Sequence, residues 1–250
     1  MLLRSFKKSW FYLPLTLGFL LFASYVWYPG PVIVPGQMSG FFDYTEMSIT
    51  ALMAAFCCFV LLNKYEIELG LVCGVSTVKL FFSKVIPIFV YSLSPLYLVL
   101  ALYEYVPYNG SIKPEIAIYV PENWKLYAGI SIFVTFFFFF ALFCFFRVLM
   151  RNPYVPIFLC LFFHSLFYSL TKNIQYGEAD LMLSLVNPYM SAYLLSDTMC
   201  DKIATQHEQF ALLMNGWTNN RIMFFAIGVM LLIITWLLLR KETLHKGFGD

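Results

Sequence analysis

Charged residues are scarce in this chain of 250 residues: they make up 12%, whereas hydrophobic residues make up 61% and aromatic residues 20%. A soluble domain is about half apolar and about a quarter charged. The composition therefore excludes an ordinary soluble domain and predicts that lipid surrounds much of the surface. Because each crossing needs about 20 apolar residues, the chain has room for about six membrane spans. We expect one polytopic membrane domain covering residues 1–250 and no separate soluble domain.

Motifs for catalysis and for metal binding are also missing. No glycine is followed by lysine, which excludes the phosphate-binding loop G-x-x-x-x-G-K-[ST]. His207-Glu208 lacks the second histidine of the zinc-protease pattern, and no G-x-S-x-G occurs. The six cysteines form no C-x-x-C pair, and most lie in apolar runs as small packing residues. We therefore expect no enzymatic activity, metal or cofactor in this chain, and no nucleic-acid partner.

The apolar runs predict an all-α polytopic membrane protein with six transmembrane helices. Residues 1–10 predict a short basic helix on the membrane surface before the first span. The row Phe136 to Phe140 is interpreted as lipid-facing and packing surface rather than as a cofactor site. The predicted spans are 11–28, 41–63, 80–103, 127–150, 154–170 and 221–239.

The stretch between the fifth and sixth predicted spans, residues 171–220, is the longest polar part of the chain. Within it, Leu181 to Leu195 is too short and too polar to cross a membrane alone. Asn187-Pro188 lies near the middle of that run, where proline breaks a helix. The sequence therefore predicts a broken helical segment, partly re-entrant or lying on the surface.

Basic residues are distributed unevenly between the two predicted sides of the membrane. The side that holds both termini, residues 64–84 and residues 147–151 carries 11 of the 16 basic and 4 of the 14 acidic residues. Loops rich in lysine and arginine face the cytoplasm. The pattern predicts a multi-pass membrane protein with both termini and residues 64–84 in the cytoplasm.

Ionisable residues near or inside the predicted spans are few: Asp43 and Glu46 at the outer end of the second span, and His164 inside the fifth. Such groups are costly in lipid and often mark a substrate path. The alternative interpretation is an acid pair in headgroup water and a histidine hydrogen-bonded between helices. Three isolated positions also make a poor ion relay, which disfavours an ion-driven carrier.

Residues 64–84, between the second and third predicted spans, are too many for a simple connector. Acidic side chains suit a helix start, two glycines permit a bend, and apolar side chains offer surface for a partner. Without a phosphate loop or an ion relay, the economical hypothesis is an external motor that docks here. The residues expected to carry this contact are Glu66, Glu68, Leu69, Gly70, Gly74, Val75, Ser76, Lys79 and Lys84.

This segment resembles that of the membrane subunits of bacterial ABC-2 type exporters. There, the stretch between the second and third spans reads E-x-G-T-x-E, a few apolar residues, P-V-S, and a lysine eight residues after the serine. Glu68, Val75-Ser76 and Lys84 match, whereas Tyr65-Glu66 replaces the G-T pair and Gly74 replaces the proline. Further resemblances are Val186-Asn187-Pro188 to the family's L-N-P element, and Asn220-Arg221 with Arg240-Lys241-Glu242 to its closing span.

The resemblance implies a single transmembrane permease domain in the lipid bilayer of a bacterial plasma (inner) membrane. It would dimerise, as a homodimer or a heterodimer, and pair with two ABC ATPase subunits, which would bind ATP and magnesium. Residues 64–84 would form the coupling helix. The expected substrate is an amphipathic or cationic molecule, first of all a peptide, so that export or antimicrobial resistance follows. The alternatives are polysaccharide or lipid export, a non-transporting immunity or scaffold protein that binds a toxic peptide, and an intramembrane enzyme based on His164.

Overall fold

The computed structural model describes residues 69–70, 72–102, 124–150, 154–175, 181–189 and 207–245. The predicted surface helix and the first two predicted spans lie outside these residues. The described part is all helical: α1 is Thr77–Leu102, α2 is Trp124–Leu149, α3 is Tyr154–Gln175 and α4 is His207–His245. A 3-10 helix, Leu181–Val186, lies between α3 and α4.

Within the described residues, three helices are long and apolar enough to cross a membrane. The qualifying stretches are Gly129–Leu149 in α2, Tyr154–Thr171 in α3 and Gly216–Arg240 in α4. The prediction of membrane-spanning helices is confirmed for these three. The third predicted span, 80–103, coincides with α1, which is helical over 26 residues. Its crossing of the membrane, and the total of six spans, stay predictions.

Helix α2 is the centre of the described bundle. Of its spanning stretch, 61% is buried, against 17% in each of α3 and α4. Tyr97 at the end of α1 donates a hydrogen bond to the carbonyl of Gly129 near the start of α2, so α1 and α2 run antiparallel. Phe146 of α2 stacks on Phe163 of α3, which is also antiparallel, while α4 runs parallel to α2.

The phenylalanine row of α2 fills the core. Phe136, Phe139 and Phe140 are fully buried, and Phe138 is nearly so. Phe89 of α1 packs edge-on against Phe136 and Phe140, while Phe224 of α4 packs edge-on against Phe138. The interpretation of this row as packing surface is confirmed, but for these four rings the lipid-facing part was wrong, because helices contact α2 on several sides.

Gly228 allows α4 to lie close to α2. A Cβ atom at this position would lie 2.7 Å from two ring atoms of Phe137. We therefore expect Gly228→Val to destabilise the protein by about 1–3 kcal/mol, since the ring must move within a packed interface. Thermal unfolding in detergent measures the effect. Ala226→Val, at an exposed position of the same helix, is the matched control; equal stability of the two variants would contradict close α2–α4 packing.

Two sequence-based boundaries need correction or refinement. The last span was predicted to start at Arg221, but α4 already begins at His207. Arg221 therefore lies inside the spanning stretch Gly216–Arg240 rather than at its outer boundary. The 3-10 helix ends at Val186, directly before Asn187-Pro188, and the broken helical segment stays a prediction. The remainder of that segment lies outside the described residues, and its re-entrant or surface-lying position stays a prediction.

Candidate functional site: a capped turn before α1 and a buried polar cluster

Residues 69–76, called the turn segment, hold most of the described residues that the sequence assigned to partner contact. The chain is helical at 69–70 and at 72 and then reverses at Gly74, whose φ of 71° lies in the left-handed region. The amide of Val75 donates to the carbonyl of Gly70 at 3.0 Å. This bond across five residues, with a left-handed glycine inside it, is the Schellman helix ending. Gly74 therefore serves a backbone geometry that other residues adopt only with strain.

Ser76 starts α1 directly after this ending. Its carbonyl accepts from the amide of Leu80 at 3.0 Å, and its Oγ accepts from the amide of Lys79 at 3.4 Å. Serine at this position is a favoured helix cap because it satisfies an otherwise free amide of the first turn. The end of one helix and the start of the next are thus fixed within three residues.

Gly70 holds the turn segment against α1. A Cβ atom on Gly70 would lie 2.5 Å from Cδ1 of Leu80, a buried residue of the first turns of α1. The absence of a side chain lets the two pieces touch. The turn segment therefore has backbone hydrogen bonds, a cap and a packing contact that define its shape.

The turn segment presents apolar side chains outward. Leu69 is 66% exposed and Val72 is 64% exposed. They are three residues apart in a helical stretch and so share a face. Lys79 is exposed two residues after α1 begins. The arrangement can bind an apolar surface of a partner, with a positive charge beside it.

Not every residue assigned to this contact can be located. Glu66 and Glu68 lie outside the described residues, as do Asp43 and Glu46 of the predicted substrate path. Lys84 lies in α1, and the structure gives its backbone only. The turn segment holds Gly70, Gly74, Val75 and Ser76, and Lys79 follows in the first turn of α1. Their contact with a partner stays a prediction.

A second feature, the buried polar cluster, joins α2, α3 and α4 to the residues after the 3-10 helix. Its centre is Arg221, which is only 3% exposed. The guanidinium donates to the carbonyl of Pro188 at 2.7 Å, to Oγ1 of Thr135 at 3.2 Å and to Oδ1 of Asn220 at 2.6 Å and 3.0 Å. The members of the cluster are Thr135, His164, Thr171, Asn187, Pro188, Tyr189, Asn220 and Arg221.

Two asparagine side chains complete the cluster. Asn187 donates to Oγ1 of Thr171 at 2.8 Å and accepts from the amide of Tyr189 at 2.9 Å. Asn220 donates to the carbonyl of Asn187 at 3.1 Å. Where proline interrupts the helix inside apolar surroundings, these side chains bond to backbone groups that have lost helical partners. The cluster therefore stabilises the broken segment.

His164, a candidate for the substrate path, lies in this cluster and not in the turn segment. Its Nδ1 is 2.6 Å from the hydroxyl of Tyr189, and the Tyr189 ring stacks on Phe139 with 5.6 Å between ring centres. This contact agrees with the alternative interpretation of His164, in which the histidine is hydrogen-bonded within the helical bundle. A role in a substrate path stays a prediction.

Arg221 is the residue that the sequence reasoning missed as an ionisable group within a span. Its polar neighbours Asn219 and Asn220 suggested the outer end of the last helix, so the residue was assigned to a loop boundary. The sequence contained one signal for this residue: Asn187-Pro188 and Asn220-Arg221 each resemble an element of the same family. The structure joins these two pairs by direct hydrogen bonds.

The described residues contain no candidate metal site, and no family model matches this chain. Among the described residues, no three histidine, cysteine or acidic side chains lie close enough together to hold a metal ion. Comparisons with protein-family models, with curated proteins and with solved structures found no match to this chain.

Proposed function

We propose that this chain is the permease subunit of an ATP-binding-cassette exporter of the ABC-2 type. A separate ATPase binds the turn segment and drives export of an amphipathic or cationic substrate, first of all a peptide. The observation that carries the proposal is the exposed pair Leu69 and Val72 on a turn fixed by the Gly74 helix ending and the Ser76 cap. A flexible connector needs none of these features.

The shape of the turn segment supports force transfer as well as binding. Ser76 begins α1 without an intervening loop, and Gly70 packs on Leu80 one turn into that helix. Movement of a partner bound at Leu69 and Val72 is therefore passed directly to α1. From α1 it passes to the central helix α2 through Phe89 and its contacts with Phe136 and Phe140.

The partner implied by the proposal supplies ATP hydrolysis, because the sequence lacks a phosphate-binding loop. On the charge distribution, the turn segment faces the cytoplasm, where ATP is available. In the proposed complex two copies of the permease, identical or related, meet two ATPase subunits. The ATP and magnesium sites belong to those ATPase subunits.

Co-purification tests this proposal. The tagged full-length chain is co-expressed with each candidate ABC ATPase of its genome, extracted in mild detergent and analysed for bound ATPase and for ATP hydrolysis. We expect one ATPase to remain bound in equal stoichiometry and to hydrolyse ATP faster in the presence of a cationic amphipathic peptide. Failure of every candidate to bind would contradict the exporter assignment and favour a non-transporting immunity protein.

A further inference from the structure

A long apolar groove lies between α1 and α4, with α2 as its floor. Its volume is about 880 Å³, and nearly all of its lining is apolar. We call it the α1–α4 groove and define it by Phe82, Ile86, Val90, Phe137, Ile233 and Trp236. The α1 side chains Phe82, Ile86 and Val90 are all 40% or more exposed along it.

The groove is long enough for one acyl chain. Its lining extends from Val78 to Tyr97 on α1 and from Val229 to Trp236 on α4. At 1.5 Å per helical residue these distances are about 29 Å and about 10 Å. The wall on α1 can therefore follow an acyl chain, and α4 encloses the part of it near Trp236.

The two ends of the groove differ in charge. Lys79 lies on the same face of α1 as Ile86, since seven residues make two helical turns, and it is exposed at the start of the helix. On α4 the guanidinium of Arg240 lies 5.8 Å from the ring centre of Trp236. Because α1 runs antiparallel to α2 and α4 runs parallel to it, these two cations belong to the same end of the groove. Tyr97 lies at the other end.

Trp236 adds a hydrogen-bond donor at the charged end. Its indole Nε1 is buried and has no acceptor among the described residues. A buried donor without an acceptor is costly, and tryptophan at a membrane interface normally bonds to headgroup or ester oxygens. A lipid ester carbonyl that enters from this end is a suitable acceptor for this donor.

We propose that the α1–α4 groove binds an anionic phospholipid. One acyl chain lies along Phe82, Ile86 and Val90, the headgroup phosphate lies between Lys79 and Arg240, and an ester carbonyl accepts from Trp236. Basic residues at the end of an apolar groove between membrane helices favour an anionic headgroup over a zwitterionic one. The proposal does not depend on the exporter assignment.

Native mass spectrometry of the full-length chain tests the site. The protein is stripped of lipid in detergent and titrated with phosphatidylglycerol or with phosphatidylcholine of the same acyl chains. We expect tighter binding of phosphatidylglycerol, and about fivefold weaker binding for each of Lys79→Gln and Arg240→Gln. Each substitution should weaken phosphatidylcholine binding less than phosphatidylglycerol binding, because the choline cation offsets part of the attraction of its phosphate. Lys172→Gln, which removes a charge near the end of α3, is the matched control and should leave both lipids unaffected.

Two further variants separate the parts of the site. Trp236→Phe keeps the ring and removes the donor, so binding of both lipids should weaken by a few fold. Val90→Trp fills the groove and should weaken both more strongly. Circular dichroism and gel filtration establish that each variant is folded. Equal binding of the two lipids by the intact protein, or equal loss of phosphatidylglycerol in Lys172→Gln and Lys79→Gln, would overturn the proposal.

Photo-crosslinking identifies the occupant in the cell membrane. Benzoylphenylalanine at position 86, in place of Ile86, should form an adduct whose mass equals one phospholipid. A crosslink to residues 41–63 of the same chain would show that the second predicted span fills the groove. A crosslink to a second copy would show a protein interface. Either protein crosslink, in place of the lipid adduct, would overturn the proposal.

Discussion

Replacing Arg221 by methionine is expected to lower stability by about 1–3 kcal/mol, because it leaves a buried acceptor, Oδ1 of Asn220, without its donor. The carbonyl of Pro188 loses one of its two donors and keeps the hydroxyl of Thr135 at 3.1 Å. Methionine has a similar length and is compatible with the apolar surroundings, so that the effect reports the lost hydrogen bonds rather than a cavity. Thermal unfolding in detergent, followed by circular dichroism and gel filtration, measures the change.

Two variants make this result specific. Arg221→Lys keeps the charge but has one compact ammonium group instead of the planar guanidinium. Its stability should therefore lie between those of the wild type and Arg221→Met. Arg240→Met removes an exposed arginine from the same helix and should change stability by less than about 0.5 kcal/mol. If Arg221→Met were as stable as Arg240→Met, the buried polar cluster would not stabilise the corner after the 3-10 helix.

Replacing both Leu69 and Val72 by aspartate is expected to weaken ATPase binding by about a hundredfold or more, since each aspartate buries a charge in an apolar contact. The two side chains are 66% and 64% exposed, so the substitutions should leave the fold of this chain intact. The measurement is the affinity of the purified chain for its ATPase, obtained by titration in detergent or in lipid nanodiscs.

The control for this effect is an equally exposed apolar residue at the opposite end of the bundle. Leu126, in the first turn of α2, is 62% exposed and lies near Gly129, the residue that Tyr97 contacts. Leu126→Asp should bind the ATPase as wild type does. If Leu126→Asp and the double variant lose binding equally, the loss reflects general damage and the assignment of the turn segment is wrong.

The sequence predicted those parts of the fold that depend on long apolar runs. The fourth and fifth predicted spans, 127–150 and 154–170, fall within a few residues of α2 and α3. The 3-10 helix ends directly before Asn187-Pro188, as expected because proline has no amide hydrogen to continue a helix. Both features are local consequences of residue type.

The sequence did not predict which apolar side chains are buried or which helices contact each other within the membrane. Lipid tails are as apolar as a protein core, so the sequence does not distinguish a lipid-facing phenylalanine from a buried one. Phe139 and Phe158 look alike as letters, yet one is fully buried and the other is 76% exposed. Helix α4 likewise begins in polar sequence at His207, so the position of Arg221 inside the span became visible only with its hydrogen bonds.

For the turn segment, the residue types were informative but the geometry was not. Glycine at 74 indicated a bend and serine at 76 permitted a cap, but neither shows which way the intervening side chains point. The outward direction of Leu69 and Val72 follows from the Schellman ending and from the contact of Gly70 with Leu80. That direction turns a plausible loop into a candidate binding surface.

The most direct test of the central claim is a photo-crosslink from the turn segment in living cells. Benzoylphenylalanine is placed at position 72, in place of Val72, and the full-length chain is expressed with its ATPase at native levels. The account predicts a crosslinked product that contains the ATPase, which is absent when benzoylphenylalanine instead replaces Leu126. Crosslinks from position 72 that contain only lipid, or only this chain, would contradict the account.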